Sequence, residues 1–319
     1  MDKPFLTYDE QIDYLQHSKN IEVDDVNELK RVGYFNLING YKNPFVAGID
    51  NGQHYYFKNT KISYLISVKE FDDELRILLF KYICKIEEEI KALVGYQFEE
   101  FRKSNPNKSW NDKNNFNPNK INDKNFIIFL DNINHSIKTS KLEYIKHYQD
   151  DTNLMPAWVF LKILTFSNLI DFIEFSNSIV KDAICHRYQM IDNRERYDYK
   201  LLKGSLHWAR VIRNISAHNE RVYTVKQSGK IIETYHKTLL PDSYKKDNCK
   251  KLIDLIIYMK YYLSKQDYYN LINKFGELLT NLSDTIPSKS FDYVRAQTGL
   301  KNLAHLEILT TSGTKEIFY

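Results

Sequence analysis

The sequence predicts an all-α fold, a helical bundle preceded by a small helical module. Three observations carry this. Of 319 residues only 10 are glycine and 7 are proline, too few for the many tight turns of an all-β chain. Residues 60–103 contain no proline, and Leu65, Val68, Phe71, Leu75, Leu78, Leu79 and Tyr82 return at steps of three and four. Amphipathic stripes of the same period recur at Leu252–Leu263 and Tyr268–Leu279. An apolar share of 43% is enough for a substantial core.

Residues 1–57 read as the opening module. Thr7 followed by Glu10 has the form of a capping box, and Ile12 and Leu15 supply the stripe behind it. A second short helix is expected over Val23–Val32, stopped by Gly33. The aromatic, glycine-punctuated run Gly33–Phe45 suits a short helix or turn packed on the body. Asn51-Gly52 is a turn signal, and Tyr55-Tyr56-Phe57 suits a short extended piece.

Residues 58–285 form the main helical domain in this reading. Its first stripe is one very long helix or two in succession, prolonged by Ile83, Ile86, Ile90, Leu93 and Val94. Residues 104–125, rich in Asn and Lys, read as a surface loop whose lysines and aromatics (Trp110, Phe116) could meet a nucleic acid. Helices are expected over Lys124–Ile137, Lys141–Gln149, a buried Ala157–Leu164 started by Pro156, Leu169–Phe175, Asn177–Arg187 and Tyr199–Ile215. A hairpin around Ser228-Gly229 is expected after the last of these. Pro287 marks the end of the bundle, and 286–319 is a tail.

Composition narrows the function. A net charge of +4 allows a nucleic-acid partner without demanding one. Cys84, Cys185 and Cys249 are widely spaced, odd in number and form no C-x-x-C pair, so neither a zinc site nor a disulfide framework is indicated, and Cys84 lies in the apolar pattern of a core position. Neither a secretion signal nor a run of ~20 apolar residues is present, so the expectation is a soluble, cytoplasmic protein without membrane contact. No metal or cofactor motif stands out, and none is expected.

Chemistry concentrates in Leu206–Val222, LHWARVIRNISAHNERV. Arg213, Asn214 and His218 fall within about one and a half helical turns. Arginine holds phosphate as a rigid charged fork, and histidine exchanges protons near neutral pH. Asn214 and His218 share a face, and Arg210 and Arg221 extend it by a turn each way. Arg213 lies ~140° from His218 around an ideal helix, so its side chain must swing or the helix must loosen near Ser216. His207 suits packing. Glu87-Glu88-Glu89 suits a solvated helix face, with Glu87 and Lys91 spaced as an ion pair.

These residues resemble a family. Arg213-Asn214-x-x-x-His218 is similar to the signature of HEPN-domain ribonucleases, an all-helical class. Four further phrases narrow the likeness: Leu6–Gln11 with Leu15; Arg31-Val32-Gly33-Tyr34-Phe35-x-Leu37-x-x-Gly40-Tyr41; Phe71-Asp72-x-x-Leu75-Arg76 with Ile86-Glu87; and Pro156-x-Trp158. With Ala217 and Arg221 completing the motif, the order resembles the Abi-like abortive-infection proteins of the AbiD/AbiF type, bacterial anti-phage factors. It spans most of residues 4–225. Ser216 stands where the family commonly has Cys, Ser167 where Gly is usual, Thr224 where Asn often follows, and Lys91 where Arg is expected.

The resemblance implies a HEPN-like bundle and a metal-independent endoribonuclease that cleaves RNA by attack of the ribose 2′-hydroxyl. It implies His218 as proton carrier, Arg213 as stabiliser of phosphate charge and Asn214 as orienting group, with Glu87 and Lys91 in support. Arg210, Arg221, Lys103, Lys108, Lys113 and Lys120 would grip the RNA backbone. A homodimer with facing motif helices and a cognate structured small RNA that restrains the nuclease, as in a toxin–antitoxin system, are also implied. The alternatives are a non-catalytic RNA-binding scaffold with a degenerate site and, further off, a helical protein-interaction module.

Overall fold

The computed structural model describes residues 5–104, 109–149, 155–192, 194–227 and 250–311. It is an all-α bundle carrying only short strands. In chain order the helices are α1 (Tyr8–Asp13), α2 (Val26–Val32), α3 (Ile62–Lys103), α4 (Lys124–Thr139), α5 (Glu143–Lys146), α6 (Ala157–Phe160), α7 (Phe166–Phe175), α8 (Ser178–Arg187), α9 (Tyr199–Ala217), α10 (Leu252–Met259), α11 (Lys265–Thr285), α12 (Ser288–Thr298) and α13 (Ala304–Thr311). The strands β1 (Ile21–Glu22) and β4 (Thr60–Lys61) pair in parallel. Strands β2 (Val46–Asp50) and β3 (Gln53–Tyr56) form an antiparallel hairpin.

The opening module follows its local signals. Thr7 N–H donates to Glu10 Oε2 at 2.7 Å and Glu10 N–H to Thr7 Oγ1 at 3.3 Å, a reciprocal cap. Gly33 (φ 84°) ends α2, and Asn51 (φ 48°) with Gly52 (φ 78°) turns the β2–β3 hairpin. A π-helical turn over Phe35–Asn39 buries Leu37 and Ile38 and leads to buried Tyr41.

Helix α3 is the axis of the molecule. Its 42 residues form one helix, about 63 Å long at ~1.5 Å per residue. The stripe from Leu65 to Phe98 is buried, and α6, α8, α9 and α11 pack around it. Where α6 crosses, Gly95 lets the backbones meet, because a Cβ there would lie 3.0 Å from Trp158 Cα. Gly95→Val is therefore expected to cost about 1–3 kcal/mol by overpacking, read as a fall in the midpoint of thermal unfolding.

Several expectations change. Trp110 and Phe116 in the lysine-rich loop are fully buried among Phe98, Phe160 and Phe172, so they are unavailable to stack on bases. Residues 109–125 are stapled to the core by these rings. Trp158, in a segment expected to be buried, is 53% exposed, although its backbone meets Gly95 of α3. The helix expected over Lys141–Gln149 contracts to α5. Pro287 caps α12 instead of closing the bundle; Phe291, Val294, Leu306 and Leu309 of α12 and α13 are buried. The Ser228-Gly229 turn lies outside the described residues, and Lys226 bridges to Lys251.

Candidate functional site

Helix α9 presents the motif. Asp198 caps its start, accepting from Leu201 N–H at 2.9 Å. Leu201, Leu202, Leu206, Trp208 and Ile212 fix it against the core. Its end is set by Asn219, whose left-handed φ of 56° reverses the chain. Glu220 N–H donates to Ile215 O at 3.0 Å and Asn219 N–H to Ser216 O at 3.3 Å, the double bond pattern of a Schellman cap. His218 is thus the last residue before the turn. It is exposed, and its ring makes no hydrogen bond or ion pair with a described residue. Asn219→Val, unsuited to that φ, is expected to cost about 1–2 kcal/mol in thermal stability, whereas Asn219→Gly is expected to be nearly neutral.

Arg213 is held from the side by α3. Its Nε lies 3.8 Å from Glu87 Oε2, its guanidinium carbon 5.8 Å from the centre of the Phe80 ring, and its Nη1 3.5 Å from Asn214 Oδ1. Glu87 is only 7% exposed, so the expectation of a solvated face fails for it, while Glu88 remains exposed. The other Glu87 oxygen is 2.8 Å from Lys91 Nζ, and Lys91 also donates to Leu164 O at 2.8 Å. Lysine and arginine therefore share one buried carboxylate. Cys84, expected in the core, is half-buried beside them. Burial and then the Glu87 charge push its thiol up, against the opposing pull of Arg213.

The segment after His218 is clamped by a second network. Fully buried Asp72 accepts from Val222 N–H at 3.0 Å and Tyr223 N–H at 2.9 Å. It also accepts from Tyr41 Oη at 3.1 Å and Arg76 Nη1 at 3.2 Å. Arg221 donates to Gly40 O and, from Nε at 2.9 Å, to Thr224 Oγ1. Three separated phrases, Gly40-Tyr41, Asp72-x-x-x-Arg76 and Arg221–Tyr223, meet here. The clamp had one signal in the sequence, a carboxylate at a buried phase of an apolar stripe.

The remaining candidates spread out. Arg210 lies on the α9 face that carries Asn214 and His218, half-buried, whereas Arg221 is engaged in the clamp. Lys103 and Lys113 are exposed, and Lys108 lies outside the described residues. Lys103 sits about 24 Å beyond Glu87 along α3, so the fold does not bring that end of the loop to the motif. Lys120 donates to Glu174 on α7. Among the described residues, no three His, Cys, Asp or Glu side chains gather to hold a metal ion, and no helix is long and apolar enough to cross a membrane.

A family model described as Abi-like protein matches residues 27–224, which contain both networks and the whole motif. The chain belongs to the Abi-like family. Membership associates it with abortive-infection defence. No curated protein and no solved structure matches it. The Abi-like match stops at Thr224, where the Asp72 clamp also ends. Helices α10–α13 lie beyond it.

Proposed function

We propose that this Abi-like chain is a metal-independent endoribonuclease of the HEPN type, acting in anti-phage abortive infection or as the toxin of a toxin–antitoxin system. One observation supports this most. A tethered guanidinium and an imidazole without a partner among the described residues stand at the end of one helix, with the chain on either side fixed by buried carboxylates. A proton carrier needs an open ring, and a charge stabiliser needs a held one.

In this reading the ribose 2′-oxygen attacks the adjacent phosphorus and the bond from phosphorus to the 5′-oxygen breaks. The 2′-hydroxyl proton leaves to an imidazole, and the 5′-oxygen takes a proton as it departs. The products are a 2′,3′-cyclic phosphate and a 5′-hydroxyl. His218 carries one of these protons, Arg213 offsets the charge growing on the phosphate, and Asn214 orients Arg213. Glu87, itself fixed by Lys91, holds Arg213 from behind. DNA lacks the 2′-hydroxyl and should resist.

A homodimer places a second His218 near the same phosphate. Phe80, beside Arg213, and Ile77, 64% exposed and three residues before it on α3, offer the apolar contact for that copy. The proposed partners are RNA as substrate and a structured small RNA as restraint, in the cytoplasm.

The test is incubation of the purified chain with single-stranded RNA, with the ends of the products determined. Cyclic phosphate ends formed in the presence of a chelator are expected. RNA binding with strong salt dependence and no cleavage would instead leave the non-catalytic scaffold reading. Ile77→Glu is expected to shift the sedimentation of the protein from dimer to monomer and to reduce cleavage with it.

A further inference from the structure

We infer that the first half of the motif helix carries a second phosphate subsite, formed by Lys203, His207 and Arg210, which holds the RNA strand away from the cleaved bond. The inference rests on the ribonuclease reading above.

The placement follows from helical geometry. Residues 203, 207, 210, 214 and 218 fall within an arc of about 80° on α9, opposite the buried stripe. They form one ridge that runs straight to His218. Arg210 precedes His218 by about 12 Å along the axis and Lys203 by about 22 Å. These separations place both cations beyond the nucleotides that flank the scissile bond.

Asp171 of α7 faces His207 and Arg210 across the α7–α9 contact, yet none of the three makes a hydrogen bond or ion pair with a described residue. Arg210 Nε is buried without a partner. Burial pushes the Asp171 carboxyl up and pulls the His207 imidazole down, and the charges of Arg210 and Lys203 pull His207 further. A guanidinium fork left empty beside an imidazole and a lysine suits phosphodiester oxygens.

The local charge favours an anion. Lys203 Nζ is 3.4 Å from Glu174, a carboxylate that already receives Lys120. Lys120, Lys203 and Arg210 together outnumber Asp171 and Glu174. Asp171 works against the bound phosphate, and this gives the subsite a signature that a structural cluster lacks.

The test is the affinity of the full chain for a single-stranded RNA of about 12 nucleotides, in a His218→Ala background, by fluorescence anisotropy across a salt series. Arg210→Gln and Lys203→Gln are each expected to weaken binding roughly five- to tenfold and to reduce the salt slope by about one. Asp171→Asn is expected to tighten binding severalfold by removing the repelling charge. Damage to the fold would weaken binding in all three, and Lys203, exposed on the ridge, provides the variant least able to cause it. An unchanged slope in both cation variants, or weaker binding in Asp171→Asn, overturns the subsite. If the unsubstituted chain cleaves RNA while the variants bind as tightly as His218→Ala alone, the subsite alone falls. If it binds no RNA, the subsite and the ribonuclease reading fall together.

Discussion

Asp72→Ala is expected to lower stability by about 3–5 kcal/mol, enough to unfold much of the protein at physiological temperature. The carboxylate is fully buried, and four donors converge on it from three parts of the chain. Alanine leaves two backbone N–H groups, a phenol and a guanidinium without their acceptor in the interior. Each lost partner costs on the order of 1–3 kcal/mol. The damage should reach the motif, because Val222 and Tyr223 follow His218 by four and five residues. Chemical denaturation of the variant checks this; a midpoint equal to that of the parent would show the clamp to be dispensable.

The same carboxyl carries a pH dependence of definite sign. Burial raises it from 3.8 to about 6, against the pull of the Tyr223 N–H, Arg76, the Val222 N–H and Tyr41. The folded state therefore holds the proton more tightly than the unfolded chain does. Its contribution to stability is fullest below about pH 4 and is lost as pH rises through about 6, a swing of about 3 kcal/mol at ~1.4 kcal/mol per pKa unit. In Asp72→Asn this contribution should vanish, leaving the variant's stability flatter than the parent's between pH 4 and 6. Parallel slopes for the two proteins would contradict the assignment.

His218→Ala is expected to reduce RNA cleavage by about 10²–10⁴-fold while leaving thermal unfolding unchanged. The ring is exposed and bonds to no described residue, so its loss removes a proton carrier and no packing. Arg213→Ala should lose a comparable factor, about 10²–10³-fold, with a small effect on stability, because its pair with Glu87 is partly solvated and long at 3.8 Å. Arg213→Lys is expected to restore little, since an ammonium lacks the planar fork. Cleavage at the parental rate by His218→Ala would remove the ring from the chemistry.

Both predictions turn on residues that differed in legibility. Arg213 and His218 were visible because a guanidinium and an imidazole within one and a half turns form a local pattern. Glu87 was misread as solvated, because its exposure depends on Arg213 arriving from a helix about 125 residues later in the chain. Trp110 and Phe116 were misread for the same reason: a polar, proline-bearing loop says nothing of the aromatic cluster that receives its rings. His207 and Asp171 could not be linked at all, since their separation in space is decided by how α7 lies on α9.

What the sequence determined by itself was periodic or adjacent: the all-α class, the apolar stripe of α3, the Thr7–Glu10 cap, the Asn51-Gly52 turn and the motif on α9. Such features follow from backbone propensity and side-chain spacing over a few residues, which need no partner. Tertiary structure alone decided which carboxylates are buried, which cations they hold, and where the free ring and the empty fork lie. Burial and pairing are properties of distant segments in contact, and no local pattern encodes the distance between them.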